Sequence, residues 1–172
     1  MSTTNRPMQT NYIKSMVDKE NEIILQEARR KKNPNFPLLI RCMAELGMRQ
    51  GDACKLKINN FQDNFSTLIY EQEKTGYVRE IPVHESLRRE LRLFYIFYSH
   101  KLEKFMFRPV TQSCSPNHHY KTSTIRIFFK ELRRKYGLDN PYYTRKNGTP
   151  LYRLTPHTLK HYFTMKAHNA CG

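Results

Sequence analysis

Nothing in this sequence reads as a membrane span or a leader. No apolar run approaches the roughly 18 residues that a spanning helix needs, and no charged-then-apolar pattern opens the chain. Cysteine is scarce: Cys42, Cys54, Cys114 and Cys171 form no C-x-x-C pair, so the common zinc-ribbon and redox signatures are missing. Cys42 and Cys54 fall in segments that read as core helix, where cysteine behaves as a small hydrophobe, and reduced thiols in an intracellular protein are expected. Tryptophan is absent, and neither an internal repeat nor a low-complexity tract appears. Acidic residues are few. Fifteen Asp and Glu stand against 30 Lys and Arg, giving +15 and a pI near 9.8. Such an excess points to a polyanionic partner, with nucleic acid ahead of a membrane surface.

What remains is a folded composition. The chain has 172 residues, 38% of them hydrophobic, with 10 Phe and 11 Tyr. That length supports one domain with a genuine core and is too short for two good ones.

Residues 1–8 are polar and are expected to be a disordered tail, with residues 9–172 forming one domain. Ile13, Met16, Val17, Ile23, Ile24 and Ala28 predict a helix from about Tyr12 to Lys32, broken by Asn33-Pro34-Asn35. Pro37 opens an apolar helix, Leu38 to Leu46, which Gly47 closes. Met48 to Leu56 reads as a short helix, followed by a turn at Asn59-Asn60. Thr67–Glu73 and Tyr77–Val83 are β-prone runs around Lys74-Thr75-Gly76, a hairpin signature. An amphipathic helix over Ser86–Lys101 places Leu87, Leu91, Phe94, Ile96 and Tyr98 on its apolar side, and Phe105–Phe107 reads as a short strand. A loop over residues 109–121 carries Cys114, His118 and His119. The next helix, Ser123 to Tyr136, sets a core face of Ile127, Phe128 and Leu132 against Arg126, Lys130, Arg133, Arg134 and Lys135. Gly137 stops it, and a loop from Asn140 to Pro150 leads to a last helix. The expected class is α+β, mostly helical, with one small antiparallel sheet, the hairpin at about 67–83.

Three blocks can carry chemistry. In Thr155-Pro156-His157-Thr158-Leu159-Lys160-His161, Thr155 suits the N-cap and Pro156 the first helical position. His157, Lys160 and His161 then share one side, above unpaired backbone N–H groups that favour an anion. In Gly47-Met48-Arg49-Gln50-Gly51-Asp52, the carboxylate of Asp52 can hold Arg49 in a fixed pose for bidentate grip of a phosphate. Lys74, at the hairpin tip, can reach a leaving oxygen or a base in the minor groove. Each block also has a plainer reading: a helix start with one core histidine, a capping ion pair, and a solvated turn lysine. A zinc site is a further alternative, since His157 and His161 have i, i+4 spacing and Cys114, His118 and His119 cluster. No Glu follows His157, however, and no second ligand pair appears, so no metal or other cofactor is expected.

Together the blocks resemble the tyrosine recombinases, or phage-type integrases, from about residue 36 to 172. Gly47, Arg49, Asp52 and Leu56 match the family's G-x-R-x-x-E/D-x-x-x-L block. Arg79, Ile81, Pro82 and Val83 follow the hairpin as its R-x-I/V-P-L-like exit, and His157-Thr158-Leu159-Lys160-His161 stands at its H-x-x-R-H box. The resemblance implies a tyrosine-recombinase-like catalytic domain that cleaves and rejoins DNA strands through a phosphotyrosyl intermediate. Arg49 would clamp the scissile phosphate, Lys74 would be general acid to the leaving 5′ oxygen, and His157 would assist proton transfer. Such catalysis is electrostatic and needs no metal. Arg79, Arg126, Lys130, Arg133, Arg134 and His161 would contact the double-stranded DNA.

The departures carry equal weight. Lys160 stands where the family usually has its second arginine, a point charge in place of a planar fork. The G-H-type box and the nucleophilic tyrosine would lie beyond residue 172, and Tyr162 is a poor substitute because it points away from the His157–His161 side. No separate N-terminal clamp domain is expected ahead of the match. The expectation is therefore a catalytic domain incomplete at its C-terminus, lacking its nucleophile, and possible partner of a homologous or full-length recombinase. The alternative is a non-catalytic DNA-binding or regulatory module that reuses the fold. Either would work in the cytoplasm at the nucleoid, as the product of a prokaryotic or viral mobile element.

Overall fold

The computed structural model describes residues 9–98, 105–109 and 118–171 of the chain. The organising element is α2 (Asn35–Glu45), whose sequence NFPLLIRCMAE is apolar nearly all round. A helix of that kind is stable only when neighbours cover every side. Phe36, Leu38, Leu39, Ile40, Cys42, Met43 and Ala44 are accordingly buried, between α1 (Gln9–Arg29) and α6 (Pro156–Cys171), with α3 (Gln50–Cys54) and α4 (Glu85–Tyr98) also against it. Leu87, Leu91 and Phe94 are the buried stripe of α4, and Ile125, Phe128, Phe129 and Leu132 that of α5 (Thr122–Lys135). Phe36 joins the layers, meeting Phe128 edge-on at 5.0 Å and Tyr120 at 5.5 Å. Burial pushes the Cys54 thiol up to about 12 and the Cys42 thiol higher still, which leaves both as unreactive core groups.

Between α3 and α4 a 3-10 turn (Ile58–Asn60) leads into an antiparallel sheet of order β1-β2-β3, formed by Phe61–Gln62, Thr67–Glu71 and Val78–Pro82. Leu68 faces Ile81 and Tyr70 faces Arg79, so the alternation along β2 buries Leu68 and Tyr70 and exposes Ile69 and Glu71. A second, two-stranded sheet joins β4 (Tyr143–Thr144) to β5 (Pro150–Leu151).

Several local expectations are corrected. The hairpin gains a third strand, β1, and the supposed loop 140–150 contains the β4–β5 ribbon. Phe105–Phe107 is no strand; its Met106 N–H donates to the Leu56 carbonyl at 2.8 Å, and Met106 and Phe107 are buried plugs. Ile96 and Ile127 are 67% and 56% exposed, because the phase that covers Leu91 and Phe94, or Phe128 and Leu132, turns them outward. Residues 1–8, residues 99–101 of the predicted Ser86–Lys101 helix, and Cys114 lie outside the described residues. Among the described residues, no helix is long and apolar enough to cross a membrane.

Candidate phosphate site

The start of α6 is pinned by its own threonines. The Thr155 N–H donates to Thr158 Oγ1 at 3.0 Å, and that hydroxyl donates to the Arg153 carbonyl at 2.5 Å. One of the helix's free N-terminal groups is thereby satisfied, and the entering chain is fixed. Leu159 and Tyr162 are buried on the inner side, while His157 and His161 stand outside with their rings edge-to-face at 4.5 Å.

Gly47 decides where α6 sits. Its φ is +61°, a left-handed conformation, and the Phe163 ring occupies the space a Cβ would need. Phe163 of α6 thus rests directly on the residue two places before Arg49. Arg49 is extended (φ −71°, ψ 148°) immediately before α3, and its Nη1 is buried without a hydrogen-bond partner. Here the sequence-based expectation needs correction: no ion pair or hydrogen bond joins Asp52 to Arg49. Asp52 Oδ1 accepts the backbone N–H of Glu73 at 3.1 Å, and its Oδ2 is buried without a partner. The carboxylate faces the β2–β3 connection, so it holds the hairpin rather than the guanidinium.

That connection is tightly built. The Gln72 N–H donates to the Tyr77 carbonyl at 2.9 Å, the Gly76 N–H donates to the Gln72 carbonyl at 2.8 Å, and Gly76 takes φ +69°. Glu73 also pairs with Lys55, the residue that follows α3, Nζ to Oε1 at 2.5 Å. Lys74 projects from this framework.

The consequence is one open cavity of about 410 Å³ lined by Arg49, Lys74, His157 and Lys160, together with Arg126 of α5 and, on its acidic side, Asp52 and Glu73. Residues from four distant stretches meet there. His157 is held below the usual imidazole range, first by burial and then by the positive charges of His161, Lys160 and Arg49. Lys160 is also held below its usual value, by burial and then by Arg49 and Arg79, with Asp52 opposing. Beside burial, the neighbouring cations that contribute to both shifts mark an excess of positive charge around the cavity, which an anion would relieve. Among the described residues, no group of three or more His, Cys, Asp or Glu could hold a metal.

The remaining cations divide. Lys130 and Arg134 continue from Arg126 along one exposed line of α5 at i+4 and i+8, and Arg79 is exposed on β3. Arg133 turns inward instead, donating to Asp139 Oδ1 and the Leu154 carbonyl at 3.1 Å each and lying 4.1 Å over the Tyr152 ring. Thr122 and Gln50 also line the cavity, and nothing in their local sequence marks them. No tyrosine lines it among the described residues; Tyr162 lies instead beside Lys166 and α1, at a separate cavity.

Solved structures share this fold. The XerH site-specific recombinase bound to a palindromic difH substrate superposes with a TM-score of 0.61 at 17% identity, over 90% of this chain and 41% of that one. The Tn1549 transposon integrase in complex with a circular intermediate DNA gives 0.56 at 17% identity, over 99% and 54%. A lambda integrase dimer bound to a COC′ core site gives 0.55 at 20% identity, over 84% and 38%. The chain therefore spans about two-fifths to one-half of these proteins. No curated protein sequence matches it significantly. The phage integrase family does match, over residues 14–170, which is nearly the whole chain: with the fold and the converged cationic cavity, the protein belongs to the phage integrase family.

Proposed function

We propose that this chain is an integrase-type catalytic domain that binds double-stranded DNA and seats one backbone phosphate in the Arg49 cavity. The observation that carries the reading is Arg49 Nη1, buried and unpartnered in a cavity shared with Lys74, His157 and Lys160. A buried donor without a partner is costly, and a phosphate oxygen removes that cost. Arg49 clamps the phosphate, Lys160 adds a point charge, His157 holds or passes a proton, and Lys74 on its hairpin is placed to protonate the leaving oxygen when a tyrosine hydroxyl from outside the described residues attacks phosphorus. Fixed donors around a phosphorane lower its energy without reorganising, and no metal step is required. The DNA-bound states of the XerH, lambda and Tn1549 proteins support the same partner here, and the transposon source of the Tn1549 protein supports a mobile-element origin.

Titrating a labelled duplex into the chain tests this. Binding should weaken linearly in log Kd against log salt, with a slope near 0.9 per phosphate contact. Arg49→Ala should lose roughly 10- to 150-fold in affinity, in line with the ~1.5–3 kcal/mol of a charge-assisted hydrogen bond. Salt-independent retention, or an unaffected Arg49→Ala protein, would remove the reading.

The absence of a tyrosine from the cavity among the described residues favours a second reading, in which this chain binds DNA without cutting it. A nicked suicide duplex separates the two. An SDS-resistant protein–DNA adduct formed by this chain alone would exclude the non-catalytic reading.

A further inference from the structure

We propose that the β4–β5 ribbon enters the major groove of the DNA beside the phosphate cavity, with Arg145 and Lys146 at its tip. The proposal rests on the DNA-binding reading above and adds a second recognition element to it.

Every residue from Asn140 to Pro150 is exposed, so the ribbon adds no side chain to the core. Tyr142 and Tyr143 are 62% and 54% exposed, an unusual placement for two adjacent aromatic side chains. The tip is nonetheless ordered by its backbone. The Arg145 N–H donates to the Thr149 carbonyl and the Gly148 N–H to the Arg145 carbonyl, both at 2.9 Å, and Gly148 takes φ +78°. Asn147 spends its Oδ1 on the Thr149 N–H at 3.1 Å. Arg145 and Lys146 have no side-chain partner among the described residues, so a built turn holds two free cations outward.

The ribbon is also anchored beside the cavity. Arg133 clamps its exit through Tyr152 and the Leu154 carbonyl, on the same helix whose Arg126 lines the cavity. From Leu151 at the ribbon's base to Pro156 at the cavity is five residues of chain, at most about 17 Å, or roughly five base pairs at 3.4 Å each. From the Tyr143–Leu151 pair to the Arg145–Thr149 pair is two residues, about 7 Å of strand, and the turn with its long Arg145 and Lys146 side chains reaches further, against a major groove about 8.5 Å deep. That groove admits a two-stranded ribbon, whereas the minor groove, about 6 Å wide, is narrower than one. Charge, reach and width thus agree on the occupant.

The test uses the whole 172-residue chain and a labelled 30-base-pair duplex of mixed sequence, with anisotropy from about 50 to 200 mM salt and dimethyl sulfate footprinting of guanine N7. Arg145→Ala with Lys146→Ala should weaken binding on the order of tenfold and lower the salt slope by about 1 to 2. It should also unmask guanines that the wild type protects, while the melting temperature stays put because both side chains are exposed. Arg49→Ala should weaken binding yet keep the guanine protection. Unchanged affinity and unchanged protection in the double variant, with Arg49→Ala still weakened, would overturn the ribbon's role and leave the cavity reading standing. Failure of the wild type to bind any duplex would overturn both.

Discussion

Asp52 Oδ1 accepts the backbone N–H of Glu73 at 3.1 Å, tying the first turn after Arg49 to the strand connection that carries Lys74. One short carboxylate thus sets the spacing between two cations that line the same cavity. Asp52→Ala should leave the Glu73 amide unpaired and cost about 1–3 kcal/mol. Urea unfolding measures that loss, and amide exchange at residues 73–75 should accelerate well beyond the global change. Exchange that tracks only the global loss would mean that Asp52 does not hold the hairpin.

Gly47→Ala should be among the most damaging single-methyl changes in the chain. The residue sits at φ +61°, and the new Cβ would overlap the Phe163 ring. Left-handed strain of about 1–2 kcal/mol and overpacking of about 1–3 kcal/mol together predict a drop in Tm of roughly 5–15 °C. Because the collision is with one ring, Phe163→Ala should relieve part of it. A double-mutant cycle that proved strictly additive would show that Gly47 does not seat α6.

Glu27 is a buried clasp between α1 and α5. Its two oxygens each accept from Lys135 Nζ at 2.8 Å, one also accepts from the Tyr136 hydroxyl at 2.8 Å, and Arg30 pairs with it. The Lys135 hydrogen bond, opposed by burial and aided by Tyr136 and Arg30, holds its carboxyl below the usual range. A lowered folded-state value contributes stability that is present above the ordinary carboxylate value and lost as pH falls through the folded-state value. Glu27→Gln should therefore cost about 1–3 kcal/mol at neutral pH and flatten the acid limb of the stability profile. Thermal melts across that limb check it.

The residues that meet in the cavity were legible because each sits at a feature with local chemistry: a helix start, a residue after a breaking glycine, a hairpin tip. Their meeting in space was foreseen through the three-block resemblance. What stayed hidden was set by distant partners. Arg133 looks like one more solvated cation, yet Asp139 and Tyr152, six and nineteen residues on, turn it inward. Along α5, Ile125, Ile127, Phe128, Phe129 and Leu132 allow two apolar phases, and packing against Phe36 selects the one that leaves Ile127 outside. Two-residue strands such as β1, β4 and β5 carry no periodicity at all, so the ribbon read as loop. Asp52 was visible as a partner for something, but its nearest sequence cation was not the group it bonds.

His157 supplies the sharpest test, because free and bound protein should respond to acid with opposite signs. In the free protein its value is lowered by burial and by His161, Lys160 and Arg49, so protonation opposes folding. That cost is full below the lowered value and disappears as pH rises toward the ordinary imidazole value. A phosphate in the cavity reverses the local potential and raises His157 in the complex. DNA binding then takes up a proton: the extra affinity is full below the free-state value and is lost as pH rises through the bound-state value. Affinity should thus fall from about pH 5 to 8 while the free protein's stability rises. His157→Asn should reduce both slopes, whereas Lys74→Ala should lower affinity and keep them, since Lys74 is not among the charges that shift His157. Anisotropy and thermal melts over one pH series decide it, and parallel slopes of equal sign in the wild type would show that no phosphate reaches His157.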